Sequence, residues 1–380
     1  MKNLKIKSLL IVNNSGFVKS KNNFFLFKKT VDFINDICNS SFYDDVGVVQ
    51  VSLSQINDKN MSQKSLNDCH NLNIYHSPFN EKSFFNKCIS YFRSIFTILI
   101  TVFKYDFIYV FFPGNFNSII LFFSILLNKK FGLYIRNEFE LNFINKIYLK
   151  KAKFIISTGE VTRRKVRPYN ESCELISPMV DFKFSDIKNS APKKASDVFK
   201  ILYVSRLEGS KGVFNLIEMI RLFKKSKINI FVDIIGSGPD FDKTRYLVNK
   251  YELNENCKLH GFISDFERLK KFYSTADLFL FPTKYPEGFP RVLYEAMAFN
   301  CPIMTYFIGD ISGLLSDKVN CIELKETSPN YLYQMVKNNM TNYELLNNIS
   351  LMANKDIQEV LSTRNIAHYE QVNLLINKFI

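Results

Sequence analysis

Blocks of apolar residues alternate with polar segments along the chain, and their lengths predict buried strands separated by helices. The runs at residues 8–12, 106–112 and 131–135 are short and nearly continuous, which is typical of parallel strands covered on both faces. Residues 116–127 carry apolar positions at helical spacing. Strands that alternate with helices favour a parallel, doubly wound α/β sheet.

The remainder of the first half predicts more elements and one irregular connection. We expect a helix at about 23–38, a strand at 46–51 and a connection with little regular structure at 57–73. Apolar and aromatic residues are dense at 84–103, and we expect these helices to pack in the interior. The alternative is contact with an anionic bilayer, because lysines border the helices. These are Lys104, Lys129, Lys130, Lys146, Lys150, Lys151 and Lys153.

A linker separates this half from a second series of strands and helices. Residues 182–198 mix Lys, Ser, Asp, Ala and Pro without apolar periodicity. A strand at 199–204 and a helix at about 213–223 follow directly. Successive helices are expected from about residue 330, and the further strands are expected at 231–235, 258–262, 277–281, 302–306 and 321–324.

Length and composition restrict the class of protein. A chain of 380 residues is too long for one ordinary core, so two domains are expected. Hydrophobic residues at 47% and charged residues at 23% are typical of a globular protein. The seven cysteines are scattered singly, which indicates reduced thiols and neither a disulfide framework nor a zinc site.

The net charge of +14 requires a negatively charged partner. The candidates are a phosphorylated ligand, an anionic membrane surface and nucleic acid. No secretory leader is evident at the start, and the apolar runs at 95–103 and 119–127 are shorter than the roughly 20 residues that span a bilayer. We therefore expect a cytoplasmic protein, with peripheral attachment to the inner face of the membrane left open.

Two carboxylates, Glu287 and Glu295, lie on either side of a predicted junction between a loop and a helix. The strand at 277–281 leads into a loop, Pro290 suits the first helical position, and Glu295 follows in the helix. A carboxylate can accept two hydroxyl hydrogens from a ribose. The open N-terminus of such a helix, beyond the carboxyl end of a strand, suits an anionic ligand.

Two basic residues occupy a similar loop in the second half. Arg206 and Lys211 follow the strand at 199–204, and a guanidinium and an ammonium in a loop at a helix N-terminus suit an anionic ligand. A glycine turn at 236–239 follows the next strand. It is not a dinucleotide fingerprint, because Phe241 occupies the third glycine position, so a nicotinamide enzyme is disfavoured.

Together these motifs resemble the Glu-x7-Glu pattern of retaining, family 4 type glycosyltransferases. That resemblance implies the GT-B fold, which has two facing Rossmann-like domains with a cleft between them. It implies an acceptor-binding domain at 1–185, a nucleotide-sugar-binding domain at 186–360 and a helix at 361–380 that returns to the first domain. It also implies sugar transfer from a nucleotide diphosphate sugar with retention of configuration, without a metal or other cofactor.

The resemblance assigns the site residues as well. Glu287 would face the donor sugar, Arg206 and Lys211 the diphosphate, and Glu295 the ribose. Main-chain groups near His260 would meet the base. The implied catalytic residues are Glu287, Arg206 and Lys211, and the implied donor-binding residues are Glu295, Gly288, Phe289, Pro290, Gly236, His260, Gly261 and Gly16.

The acceptor and two other function classes stay open. A basic, aromatic-rich hexosyltransferase suggests a glycan or lipid-linked glycan acceptor in bacterial surface polysaccharide assembly. A nucleic-acid or polyanion-binding protein would explain the charge, although the lysines form no single stripe and no nucleic-acid-binding motif is present. An inactive sugar-binding scaffold would explain the family positions that the first half lacks.

Overall fold

The computed structural model describes residues 8–13, 18–20, 23–52, 63–66, 71–78, 83–136, 138–178, 180–187, 192–285 and 288–379. They form two compact units. Unit 1 combines Met1–Ser177 with Ile366–Ile380, and unit 2 is Pro178–Asn365. The division therefore falls at residue 177, before the expected boundary at 185, and the last helix is grouped with unit 1.

Unit 1 contains a seven-stranded parallel sheet with the order β10-β9-β8-β7-β1-β4-β6. Its core strands are buried along their whole length, as the continuous apolar runs predict. The elements are β1 (Ser8–Val12), β2 (Val18–Ser20), β3 (Asn23–Phe27), α1 (Lys28–Asn39), β4 (Asp45–Ser52), β5 (Gln63–Ser65), β6 (Leu72–Pro78), α2 (Phe84–Lys104), β7 (Phe107–Phe112), α3 (Asn115–Leu126), β8 (Lys130–Ile135), α4 (Phe143–Lys151), β9 (Ile155–Ser157), α5 (Glu160–Val166) and β10 (Cys173–Leu175).

Two expectations for unit 1 are wrong. The segment expected to begin a helix at residue 23 is β3, which pairs antiparallel with β2 and β5 in a small separate sheet. Consecutive aromatic residues there favour a strand, and the helix begins only at Lys28. The connection expected at 57–73 includes β5 and the start of β6, which pairs with β4 at the sheet edge.

Unit 2 contains a six-stranded parallel sheet with the order β13-β12-β11-β14-β15-β16. Short 3-10 helices lie at Phe184–Asp186, Gly209–Lys211 and Ile311–Gly313. The elements are β11 (Phe199–Val204), α6 (Val213–Lys225), β12 (Ile230–Ile235), α7 (Phe241–Lys250), β13 (Cys257–Gly261), α8 (Phe266–Thr275), β14 (Leu278–Phe281), α9 (Arg291–Ala298), β15 (Ile303–Tyr306), β16 (Ile322–Leu324), α10 (Pro329–Asn339) and α11 (Tyr343–Thr363); α12 (His368–Lys378) belongs to unit 1.

Both sheets reverse their strand order at one point, between β1 and β7 in unit 1 and between β11 and β14 in unit 2. Loops leave the carboxyl ends of the two strands at such a point in opposite directions, which opens a crevice where ligands bind in α/β proteins. The predicted α/β class with two doubly wound parallel sheets is confirmed.

The expected interior packing of α2 and α3 is only partly right. Their inner residues are buried, but several large apolar side chains are exposed to solvent, among them Phe85, Phe92, Phe96 and Phe122. Over the described part of the chain, no helix has both the length and the apolar character needed to cross a bilayer.

His368, at the start of α12, is buried in an aromatic cluster of unit 1. Its imidazole stacks on Phe33 with 4.2 Å between ring centroids, and Nε2 lies 2.9 Å from the Tyr109 hydroxyl oxygen. Burial, together with the positive charge of Arg136, lowers the pKa of His368 to about 3. The imidazole is therefore neutral in the folded protein at any pH near neutrality.

We expect acidification from pH 7 to pH 5 to destabilise unit 1 through His368. The unfolded chain binds a proton below its ordinary pKa of about 6.5, whereas the folded chain does not until about pH 3, so stability falls as the pH drops through this window. The loss is about 2 kcal/mol at pH 5. Urea midpoints of the wild type and His368→Phe at the two pH values isolate this contribution, and an equal pH dependence of both proteins would refute it.

Candidate active site

A cavity of about 440 Å³ lies at the carboxyl ends of β11 and β14, where the strand order of the unit 2 sheet reverses. The loop after β11 lines it, and so do Tyr285, which follows β14, and Pro290, which precedes α9. Val204 and Phe281 are the last residues of the two strands, and both line it. The polar and charged lining residues include Ser205, Arg206, Glu208, Ser210, Lys211 and Arg291.

Arg206 projects from the loop after β11 with most of its side chain in solvent. Its Nη1 lies 3.7 Å from a carboxylate oxygen of Glu208, and 64% of the Arg206 side chain is exposed. Exposed pairs of this kind contribute about 1 kcal/mol or less, because water screens both charges. A phosphate group can therefore replace Glu208 as the partner of Arg206 at little energetic cost.

Lys211 is held much more tightly. It ends the short 3-10 helix Gly209–Lys211 and only 8% of it is exposed. Its Nζ lies 4.6 Å from the centroid of the Tyr285 ring, a cation-π geometry, and its carbonyl oxygen accepts a hydrogen bond of 3.2 Å from the Tyr203 hydroxyl. Lys211 lines the cavity, so its positive charge favours an anionic ligand there.

The N-terminus of α9 borders the same cavity. Pro290, expected as the first helical residue, is instead the N-cap, with φ −64° and ψ 133°, and Arg291 begins the helix. Proline has no side-chain acceptor that could cap the first N–H groups of α9. The partial positive charge of this helix end therefore adds to that of Arg206, Lys211 and Arg291.

Two glycines allow the loops around the cavity to approach each other. A Cβ on Gly212, whose φ is 79°, would lie 2.2 Å from the Pro282 carbonyl oxygen. A Cβ on Gly236, whose φ is 140°, would lie 1.9 Å from the Ser205 carbonyl oxygen. Any other residue at either position would push the backbones apart. Gly236, expected at the donor site, thus shapes the loop that carries Arg206.

Glu295 lies inside α9, one turn beyond the cavity. It is 7% exposed, and its Oε2 accepts a hydrogen bond of 2.9 Å from the Tyr273 hydroxyl. Burial and the neighbouring Glu295 carboxylate raise the pKa of Tyr273 well above its ordinary value, so the phenol keeps its proton and remains a donor. The hydroxyl fixes the orientation of the Glu295 carboxylate.

The expected site residues are therefore only partly brought together. Arg206, Lys211 and Pro290 line the cavity. Among the described residues, the structure does not bring Glu295, His260, Gly236, Gly261, Gly288 or Phe289 onto its wall. Glu287 and Gly16 lie outside the described residues.

Two of these residues have internal contacts instead. His260 Nε2 lies 2.6 Å from the Asp233 carboxylate, with 7% of the side chain exposed, and its ring meets Phe272 edge-on. Phe289 is buried against Tyr294 with 4.3 Å between ring centroids. Both side chains are thus held by contacts within unit 2.

The sequence analysis named Arg206, Lys211 and Pro290 but none of the other lining residues as site residues; Glu208, Tyr285 and Arg291 are among those it missed. Arg291 could have been found, since it follows Pro290 at the start of a helix where a ligand was expected. Tyr285 could not, because its contact with Lys211 joins two loops that are distant in sequence.

Comparison with known proteins connects this geometry to a family. Residues 185–356 match the family model for Glycosyl transferases group 1. An uncharacterized glycosyltransferase of Methanocaldococcus jannaschii is 30% identical over 46% of this chain and 44% of its own length. The capsular polysaccharide biosynthesis glycosyltransferase CapM of Staphylococcus aureus is 28% identical over 48% of this chain and 50% of its own length. The chain thus spans half or less of the length of these relatives.

Solved glycosyltransferase structures share the fold of both units. Anabaena HepE, crystallised in complex with UDP, superposes with a TM-score of 0.65 at 15% identity, covering 98% of this chain and 100% of HepE. Sucrose-phosphate synthase from Thermosynechococcus elongatus superposes with a TM-score of 0.65 at 14% identity, covering 98% of each chain. The two Rossmann-like parallel sheets are therefore those of the GT-B fold.

We expect Gly236→Ala to destabilise the protein far more than Gly261→Ala. Both glycines have positive φ, but a Cβ at Gly261 meets nothing within 4 Å, whereas one at Gly236 collides with backbone. Gly261→Ala should cost about 1 kcal/mol from backbone strain alone, and Gly236→Ala about 3 kcal/mol or more. Urea denaturation of the two variants measures the difference, and equal losses would contradict the proposed close approach at Ser205.

Proposed function

We propose that the protein is a retaining glycosyltransferase of hexosyltransferase type, which moves a sugar from a nucleotide diphosphate sugar to a glycan or lipid-linked glycan. The observation that carries the proposal is the cavity that collects Lys211, Arg206 and the N-terminus of α9 at the reversal point of the unit 2 sheet. The match of residues 185–356 to the group 1 glycosyltransferase model supports it.

The diphosphate of the donor would occupy this cavity. Lys211 supplies a buried point charge that Tyr285 already orients, and Arg206 supplies a planar guanidinium that can bind two phosphate oxygens. Negative charge on the diphosphate grows as the bond to the sugar breaks. Preformed cations stabilise that charge without reorganisation during the reaction, which lowers the barrier to transfer.

The rest of the donor would extend along α9. Glu295 would accept hydrogen bonds from the two ribose hydroxyls, with Tyr273 as its positioning residue. Glu287 and the main-chain N–H groups of Gly288 and Phe289 would hold the sugar. The proposal also includes contacts of Gly16, and of the main-chain groups near His260 and Gly261, with the donor.

The reaction proceeds on one face of the sugar. The bond between the anomeric carbon and the diphosphate oxygen breaks, and the acceptor hydroxyl oxygen forms its new bond to that carbon from the same side. The proton of the acceptor hydroxyl passes to the departing phosphate oxygen. This route requires neither an enzymic nucleophile nor a metal ion, and configuration is retained.

The biological setting is inferred from the relatives and the solved structures that this chain resembles. CapM acts in capsular polysaccharide biosynthesis, and a Bacillus subtilis relative, 29% identical over 29% of this chain and 16% of its own length, is a poly(glycerol-phosphate) alpha-glucosyltransferase. Anabaena HepE was crystallised with UDP-glucose. We infer a nucleotide sugar as donor and a bacterial surface polysaccharide as product for this chain too.

We expect Arg206→Ala to lower kcat for sugar transfer by about 100- to 1000-fold, because it removes one of the charges that stabilise the leaving diphosphate. The matched control is Arg245→Ala. Arg245 is also exposed, and its Nη1 lies 3.6 Å from Asp242 in a similar ion pair, but it lies on α7. Release of UDP and GDP from a panel of nucleotide sugars measures turnover. Near-normal turnover by Arg206→Ala would rule out the assignment.

We expect Glu295→Gln to raise KM for the donor by about tenfold or more, since an amide is a weaker acceptor for ribose hydroxyls than a carboxylate. The amide oxygen can still accept the bond from Tyr273, so the fold should be preserved. A thermal-shift titration with the donor that the wild type prefers gives the affinity. Unchanged donor affinity in a folded Glu295→Gln variant would remove Glu295 from the site.

A further inference from the structure

Helix α2 of unit 1 exposes a stripe of large apolar side chains to solvent. Its large apolar side chains form one stripe that is open to solvent: Phe85, Ile89, Phe92, Phe96, Ile100 and Phe103 are 73%, 36%, 74%, 64%, 48% and 70% exposed. At 100° per residue, these six positions fall within an arc of about 80°. With a rise of 1.5 Å per residue, the stripe is about 27 Å long.

The opposite face of α2 is buried and carries small hydroxyl residues. Ser90, Ser94 and Thr101 are at most 4% exposed. Each hydroxyl donates to a carbonyl of its own helix: Ser90 to Asn86 at 2.8 Å, Ser94 to Ser90 at 2.7 Å and Thr101 to Thr97 at 2.9 Å. The inward face thus has its polar atoms satisfied. Ile98 and Val102 are buried on the inward side too, so what is unusual for a helix of a water-soluble domain is the exposed apolar stripe.

Helices α3 and α4 of unit 1 also expose large apolar side chains. Phe122 and Leu126 on α3 are 56% and 66% exposed, and α2 packs against α3 through the Tyr91 and Phe116 rings. Phe143 at the start of α4 is 78% exposed. Isolated exposed apolar residues are normal, but a continuous stripe such as the one on α2 marks a surface that binds an apolar phase.

The segment that carries this surface is basic. Residues 83–136 contain one acidic residue, Asp106, whose carboxylate accepts hydrogen bonds from the main-chain N–H and the hydroxyl of Ser8. Lys129 Nζ lies 5.6 Å from the Phe103 ring centroid, at the end of the stripe. The basic residues of this segment are Lys87, Arg93, Lys104, Lys129, Lys130 and Arg136.

We propose that the α2 stripe docks unit 1 on an anionic lipid bilayer. The helix would lie in the plane of the membrane with its phenylalanines among the acyl chains and its basic flanks at the phosphate headgroups. The charge disfavours a second copy of this chain as the occupant. A two-fold dimer would place the same basic flanks opposite each other, whereas an anionic surface neutralises them. The inference does not depend on the proposed sugar transfer.

Flotation of the full chain with vesicles tests this inference. Vesicles of phosphatidylcholine with phosphatidylglycerol should bind the wild type, pure phosphatidylcholine vesicles should bind it more weakly, and added salt should reduce the difference. Phe92→Ser combined with Phe96→Ser should lower the bound fraction at limiting lipid about tenfold or more. Because both side chains are largely exposed, the urea midpoint should not fall.

The matched control replaces two exposed apolar residues of unit 2, Tyr246 and Leu351, by serine; they are 62% and 45% exposed. This control should bind anionic vesicles as the wild type does. Failure of the wild type to bind them, or undiminished binding of the Phe92→Ser and Phe96→Ser variant, would overturn the inference. So would a wild-type dimer in sedimentation equilibrium that this variant dissociates. Donor binding without vesicles is a separate measurement, so either proposal can fail alone.

Discussion

The candidate site depends on the close approach of main-chain segments at the reversal point of the unit 2 sheet. The Pro282 and Ser205 carbonyl oxygens occupy the space where Gly212 and Gly236 would otherwise carry side chains. These contacts hold the loop after β11 against β14 and β12. The loop conformation in turn sets where Arg206 and Lys211 lie, so the cationic cavity is a consequence of backbone packing and not of the charged residues themselves.

Lys211 and Arg206 differ in how firmly their side chains are held before a ligand binds. Lys211 is buried, with its ammonium over the Tyr285 ring and its carbonyl bonded to Tyr203, so little conformational entropy remains to be lost on binding an anion. Arg206 is solvated and weakly paired with Glu208. Lys211 is thus ready to bind an anion, whereas the Arg206 side chain must leave Glu208 and become ordered when the ligand binds. This combination suits a ligand that must bind, react and leave, because the entropy cost of ordering Arg206 limits its affinity.

The sequence alone predicted the strands that are buried on both faces. β1 and β11 were predicted within their observed bounds, because a strand covered on both faces leaves a continuous apolar run. β3 was missed because it runs directly into α1 with no turn residue between them. Arg206 and Lys211 were expected close together from their place after a strand, and both line the cavity. The bond between Glu295 and Tyr273 was not, since it joins α9 to α8 and depends on tertiary packing.

Helix α2 shows why the spacing of apolar residues can predict a helix without predicting which of its sides is buried. Apolar residues occur on all sides of it, so the sequence predicts a helix without telling which side faces inward. The decisive positions are Ser90, Ser94 and Thr101, whose hydroxyls donate hydrogen bonds to carbonyl oxygens of their own helix and are therefore tolerated in the interior. Small residues on that face allow close packing, as in helices that associate within membranes. The larger side chains are then left on the outer face, where only a second apolar phase can bury them.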